Sequence, residues 1–104
     1  MGRLSKLSRS VKDLRVLVTG CASGMGLATA RLFADEGAQV AVTDITLDSV
    51  EPVAAEIRDA GGRALAWKLD VTSPDDIASV VADIKSSFGG LDCLINNAGI
   101  ALPT

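Results

Sequence analysis

The 104-residue chain contains no histidine and no tyrosine, and only one tryptophan and two phenylalanines. Its two cysteines, Cys21 and Cys93, have neither metal-ligand spacing nor the pattern of a disulfide framework. No metal site is therefore expected, and a reducing, cytoplasmic setting is the default. No apolar run approaches the roughly eighteen residues needed to cross a bilayer, so no membrane partner is expected. The start of the chain lacks the apolar stretch of a secretory signal. It also misses the myristoylation pattern, because Ser5 is one place early and Lys6 stands where Ser or Thr is required. A basic stripe is missing too. Five of the basic residues lie at or before Arg15, and the remainder carries five basic and twelve acidic residues. An acidic body argues against a nucleic-acid surface.

What is present is ordinary for one globular domain: 48% hydrophobic, 22% charged, net charge −3. Residues 1–13 read as a flexible basic leader, and residues 14–104 as a partial dinucleotide-binding domain. From Leu14 onward, compact apolar runs alternate with helical patterns. The runs are Arg15 to Thr19, Gln39 to Thr43 (ending at Asp44), Arg63 to Leu69 and Leu91 to Ile95. Between them lie helices expected over Met25 to Glu36, from near Ser49 to the Gly61-Gly62 stop, and from Pro74 to Phe88. Pro52 suits only a first helical turn, which sets the expected start near Ser49. Ser73-Pro74-Asp75-Asp76 announces the third helix: a capping hydroxyl, proline at the first position, then acids that favour the dipole.

This alternation implies right-handed crossovers and a doubly wound parallel α/β sheet of Rossmann type, truncated after strand 4, with spatial order 3-2-1-4. Strands 1 and 4 then flank the switch point at which such sheets bind ligands. Its free outer edge on strand 4 would leave Leu94 and Ile95 poorly covered.

Gly20, Gly24 and Gly26 stand between strand 1 and the first helix. There they either present backbone N–H groups to a pyrophosphate or merely make a tight turn that lets the helix pack closely. Asp44, eighteen residues beyond Gly26, tips the balance. A carboxylate at the end of strand 2 accepts hydrogen bonds from an adenosine ribose and repels a 2′-phosphate. With no Lys or Arg at Ser23, Ile45 or Thr46, NAD is favoured over NADP. The bland reading of Asp44 is a helix N-terminal acid. Cys21 reads as a small packing residue, the alternative being a thiol whose pKa is lowered by the nearby helix N-terminus. Cys93 and Trp67 read as packing residues.

Thr19-Gly20-Cys21-Ala22-Ser23-Gly24-Met25-Gly26 resembles the T-G-x-x-x-G-x-G signature of the short-chain dehydrogenase/reductases. Asn96-Asn97-Ala98-Gly99 resembles that family's N-N-A-G motif, and Asp70-Val71 its acid-apolar pair after strand 3. Order and spacing match over Leu14 to Ile100. The resemblance implies that Gly20, Ser23, Gly24, Met25 and Gly26 surround the pyrophosphate and its ribose. It implies that Asp44 holds the adenosine ribose, that Asp70 and Val71 meet the adenine, and that Asn97, Ala98 and Gly99 pass close to the cofactor and brace strand 4. On side-chain chemistry alone, Asn96 and Asn97 are also turn formers.

The family's proton donor is a Tyr followed by a Lys, with a Ser and a further Asn, all well beyond Gly99. No catalytic residue can therefore be assigned here, and the chain alone is expected to be inactive. The implied activity is hydride exchange between a nicotinamide dinucleotide and an alcohol or ketone, with this chain as the cofactor-binding part. A homo-oligomer is expected only of a full-length form. The alternatives are a short nucleotide-binding protein without catalysis, or a partner of a longer relative. A methyltransferase of similar fold fits the glycine spacing and Asn96 to Gly99 less well.

Overall fold

The computed structural model describes residues 12–22 and 24–97. Ser23, Ala98 and Gly99, and all but the last two residues of the expected leader, lie outside them. Seven elements alternate along the chain: β1 (Arg15–Val18), α1 (Gly24–Asp35), β2 (Gln39–Asp44), α2 (Leu47–Asp59), β3 (Arg63–Lys68), α3 (Pro74–Phe88) and β4 (Cys93–Ile95). The strands form one parallel sheet in the order β3-β2-β1-β4, as expected for a Rossmann-type doubly wound fold.

The sheet is covered on both faces, and period-two alternation divides the side chains between them. Val16, Val18, Val40 and Val42 pack with Ala30 and Ala34 of α1 and Val50, Val53, Ala54 and Ile57 of α2. Leu17 and Ala41 point the other way, to Leu69 and to Val80 and Ile84 of α3. That second cluster is smaller. The Trp67 and Phe88 rings extend it, meeting edge to face at 6.0 Å, so Trp67 is a packing residue. Leu94 of β4 is 57% exposed, as expected, whereas Ile95, expected to be poorly covered too, packs against the larger cluster.

Most differences from the sequence reading are at element ends. α3 starts as expected, with Ser73 Oγ accepting from the Asp76 N–H at 3.2 Å and Pro74 at the first position, and Gly89 closes it. α2 instead begins at Leu47, placing Pro52 a full turn inside the helix. The bond Pro52 removes would have ended on the carbonyl of Asp48, an exposed first-turn residue that water can satisfy. β4 begins at Cys93 rather than Leu91. There the Arg15 N–H is taken by the Asp92 carboxylate at 2.9 Å instead of a strand carbonyl, so the regular ladder starts only at Cys93, opposite Val16. On the same amino edge of the sheet, beside β2 and β3, the Asp13 N–H donates to Gly37 O, and Arg63 reaches the Asp13 carboxylate at 2.7 Å. Among the described residues no helix is long and apolar enough to cross a membrane.

Candidate cofactor site

The turn from β1 into α1 lies at the centre of the sheet's carboxyl edge, and its glycines do different jobs. Gly26, in the first turn of α1, rests on the loop before it. A Cβ there would stand 1.9 Å from Gly20 O, 2.5 Å from Gly20 C and 2.9 Å from Thr19 O. Only glycine allows that approach, so at Gly26 the close-packing explanation holds. Gly24 is the converse case. Its φ of +64° favours glycine, yet a Cβ would meet nothing within 4 Å. Gly24 opens onto free space.

Strand 2 fixes the turn from one side. The Cys21 N–H donates to Thr43 O at 3.0 Å, and the Ala22 N–H to Asp44 Oδ2 at 2.9 Å. Asp44 Oδ1 accepts the Ile45 N–H at 2.7 Å. Each carboxylate oxygen thus holds one backbone donor and keeps capacity for another. Beneath them, the Thr43 hydroxyl and the Cys21 thiol both donate to Val18 O, at 2.9 and 3.0 Å.

Cys21 is fully buried, and burial pushes its thiol pKa up to about 11. The packing reading of Cys21 holds, and a helix N-terminus does not lower its pKa, because the side chain faces the core rather than the helix end. Desolvation of the thiolate then dominates.

Strand 4 fixes the turn from the other side. The Thr19 N–H donates to Ile95 O at 3.0 Å, and the Thr19 hydroxyl to Asn96 Oδ1 at 2.8 Å. Asn97 is half-buried, and its Nδ2 is buried without a hydrogen-bond partner among the described residues. Met25 is 73% exposed beside the turn. Farther along the edge, the Leu69 N–H donates to Asp44 O at 2.8 Å, tying the end of β3 to that of β2.

Asp70 Oδ1 accepts from the Thr72 N–H and hydroxyl at 2.9 and 2.6 Å, which holds its carboxyl below the usual range. The Asp70 N–H donates to Asp76 Oδ2 at 2.7 Å, and Val71 packs against the α3-side cluster. The Asp70 side chain is therefore engaged in its own turn.

Gly20, Gly24, Met25, Gly26 and Asp44 are thus gathered at one turn, while Asn97 follows β4 and Asp70 and Val71 follow β3 along the same carboxyl edge of the sheet. Sequence reasoning passed over Thr43, a hydroxyl inside an apolar buried strand, which was the available signal. It also gave the bracing of strand 4 to the residues after Asn96, whereas among the described residues Thr19 and Asn96 make that link. A cleft of about 410 Å³ between the last turns of α1 and α2, lined by Arg31, Ala34, Glu56, Ile57 and Gly62 among others, contains none of the expected site residues.

The family model for short chain dehydrogenase matches residues 14–104. The chain belongs to the short-chain dehydrogenase family. It is 48% identical over 87 residues to a cis-4-hydroxycyclohexanecarboxylate dehydrogenase of Sinomonas cyclohexanicum, covering 84% of this chain and 34% of that protein. It is 44% identical over 93 residues to an NAD-dependent glycerol dehydrogenase of Listeria innocua, covering 89% of this chain and 35% of that one. Among solved structures, a hydroxysteroid dehydrogenase from Escherichia coli superposes with a TM-score of 0.82 at 33% identity, over 89% of this chain and 42% of that chain. The chain spans about a third of the length of these curated relatives.

Proposed function

We propose that the chain is the cofactor-binding part of an NAD-dependent short-chain oxidoreductase acting on a small alcohol or ketone. The observation that carries this is Asp44, whose carboxylate lies at the end of β2 and is hydrogen-bonded onto the glycine turn at Ala22. A dinucleotide fits the residues present. Gly24 offers an open, Cβ-free surface at the turn, and Asn97 Nδ2 is a buried donor with no acceptor among the described residues.

In this reading Gly20, Ser23, Gly24, Met25 and Gly26 surround the pyrophosphate, assisted by the positive end of α1. Asp44 accepts from the adenosine ribose and disfavours the 2′-phosphate of NADP. Asp70 and Val71 border the adenine, and Asn97, Ala98 and Gly99 line the cofactor's path past strand 4. When bound, the nicotinamide supplies or accepts the hydride. This chain's own work is to hold and orient it, since the Tyr proton donor of the family has no counterpart among its residues. A cytoplasmic location accords with the two free thiols.

The test is titration with NADH and NADPH. The wild-type protein should prefer NADH. Asp44→Ala removes hydrogen bonds to a charged acceptor, worth about 1.5–3 kcal/mol each, so NADH should bind at least about tenfold more weakly. Equal NADH affinity in the variant, or tighter NADPH binding by the wild type, would defeat the assignment.

A further inference from the structure

Both N–H groups that follow Gly20 in the glycine turn are already engaged by strand 2. Cys21 is held by a backbone carbonyl, which no side-chain change removes, but Ala22 is held by a side chain, Asp44 Oδ2 at 2.9 Å. The bond spans 22 residues of sequence and joins the turn to the neighbouring strand. Asp44 is itself oriented by the Ile45 N–H on its other oxygen at 2.7 Å. Removing the carboxylate would release the middle of the turn, between the pinned Cys21 and the start of α1 at Gly24.

We infer that Asp44 is a positioning residue for the phosphate-binding turn, in addition to the ribose contact proposed for it. The inference rests on that cofactor reading for its functional consequence, but not for the anchoring itself. The bond joins two groups of the chain itself, so its formation calls for no cofactor, and the anchoring is expected in the free protein as well. Substitution at position 44 therefore changes two things together: the selection of the ribose and the shape of the pyrophosphate cradle. Exchanging Asp44 for a small neutral residue should weaken NADH binding without producing a good NADP site.

The discriminating probe is reduced nicotinamide mononucleotide, which carries a phosphate but no adenosine ribose. If Asp44 only binds ribose, Asp44→Ala leaves affinity for this probe unchanged or raises it, since a negative charge near the phosphate has gone. If Asp44 anchors the turn, affinity for the probe falls at least fivefold. Amide hydrogen exchange supplies a readout that needs no cofactor. In the free wild-type protein the Ala22 amide should be protected at least tenfold over an unstructured amide. In Asp44→Ala that protection should vanish, while the β1 and β2 ladder amides stay protected.

Unchanged probe affinity, or an Ala22 amide equally protected in the variant, overturns the inference. Should Asp44→Ala fail to fold, an unprotected Ala22 amide in the wild type overturns it by itself. Wild-type protein that binds no NADH but shows a protected, Asp44-dependent Ala22 amide would sink the cofactor reading and leave the anchoring intact.

Discussion

Gly26→Ala is the most exacting test of how the turn and α1 fit together. The added methyl would stand 1.9 Å from Gly20 O, where ordinary contact begins near 3.4 Å, so about 1.5 Å must be opened against backbone atoms. The turn cannot give way easily. It is pinned at Thr19 to Ile95 O and at Cys21 to Thr43 O, both at 3.0 Å. The helix must lift instead, drawing Ala30 and Ala34 off the valines of β1 and β2. Such overpacking costs about 3 kcal/mol, the upper end of the usual range. At roughly 4–8 °C per kcal/mol for a domain of this size, the thermal midpoint should fall by more than about 10 °C. Gly24→Ala is the control. Its methyl meets nothing, so the cost is only that of a left-handed residue, about 1–2 kcal/mol. Thermal unfolding followed by circular dichroism, with NADH titration at a temperature where each variant is folded, measures both. A Gly26→Ala midpoint within about 3 °C of wild type, smaller than the drop for Gly24→Ala, would refute the packing argument.

Two further predictions concern titratable groups other than Asp44. Hydrogen bonds from the Arg15 side chain and then its backbone N–H hold the Asp92 carboxyl at about 2, below its ordinary 3.8. Its stabilising effect should therefore be complete above about pH 4 and lost as pH falls towards 2. The urea midpoints of wild type and Asp92→Asn should converge over that interval, and a gap still constant at pH 2 would contradict this. Cys21, with its thiol at about 11 and its side chain fully buried, should resist iodoacetamide at pH 8 in the folded protein and react on denaturation. Native-state labelling as fast as that of the denatured chain would show that the thiol is not in the core.

Strand order and the central strands were legible in the sequence because β1 and β2 are buried on both faces. Val16 to Val18 and Val40 to Val42 form short apolar runs that stand out against their flanks. Gly20 to Gly26 was equally legible as a turn, but the division of labour within it was not. Whether a Cβ at Gly24 or Gly26 meets backbone or open space depends on how α1 returns over Gly20, which spacing does not encode. Cys21 shows the same limit. Position in the chain puts it near a helix N-terminus, whereas its side chain, donating to Val18 O, lies in the core. The start of α2 was misplaced because proline was held to the first turn, although an exposed carbonyl tolerates losing its donor.

The register of the sheet connects these local facts. Val18 pairs with Val42 of β2 and with Ile95 of β4, so Thr19, Thr43 and Asn96 stand level at the carboxyl edge. Their contacts follow from that levelness: Thr43 to Val18 O and Thr19 to Asn96 on either side of one strand end. A slip of one residue in β2 would turn Val40 and Val42 away from α1 and α2 and bring Ala41 to the larger core. The hydrophobic cost of that exchange holds β2 in place. It thereby also holds Asp44 within reach of Ala22. The alternation that builds the two cores thus also aligns Asp44 with the glycine turn.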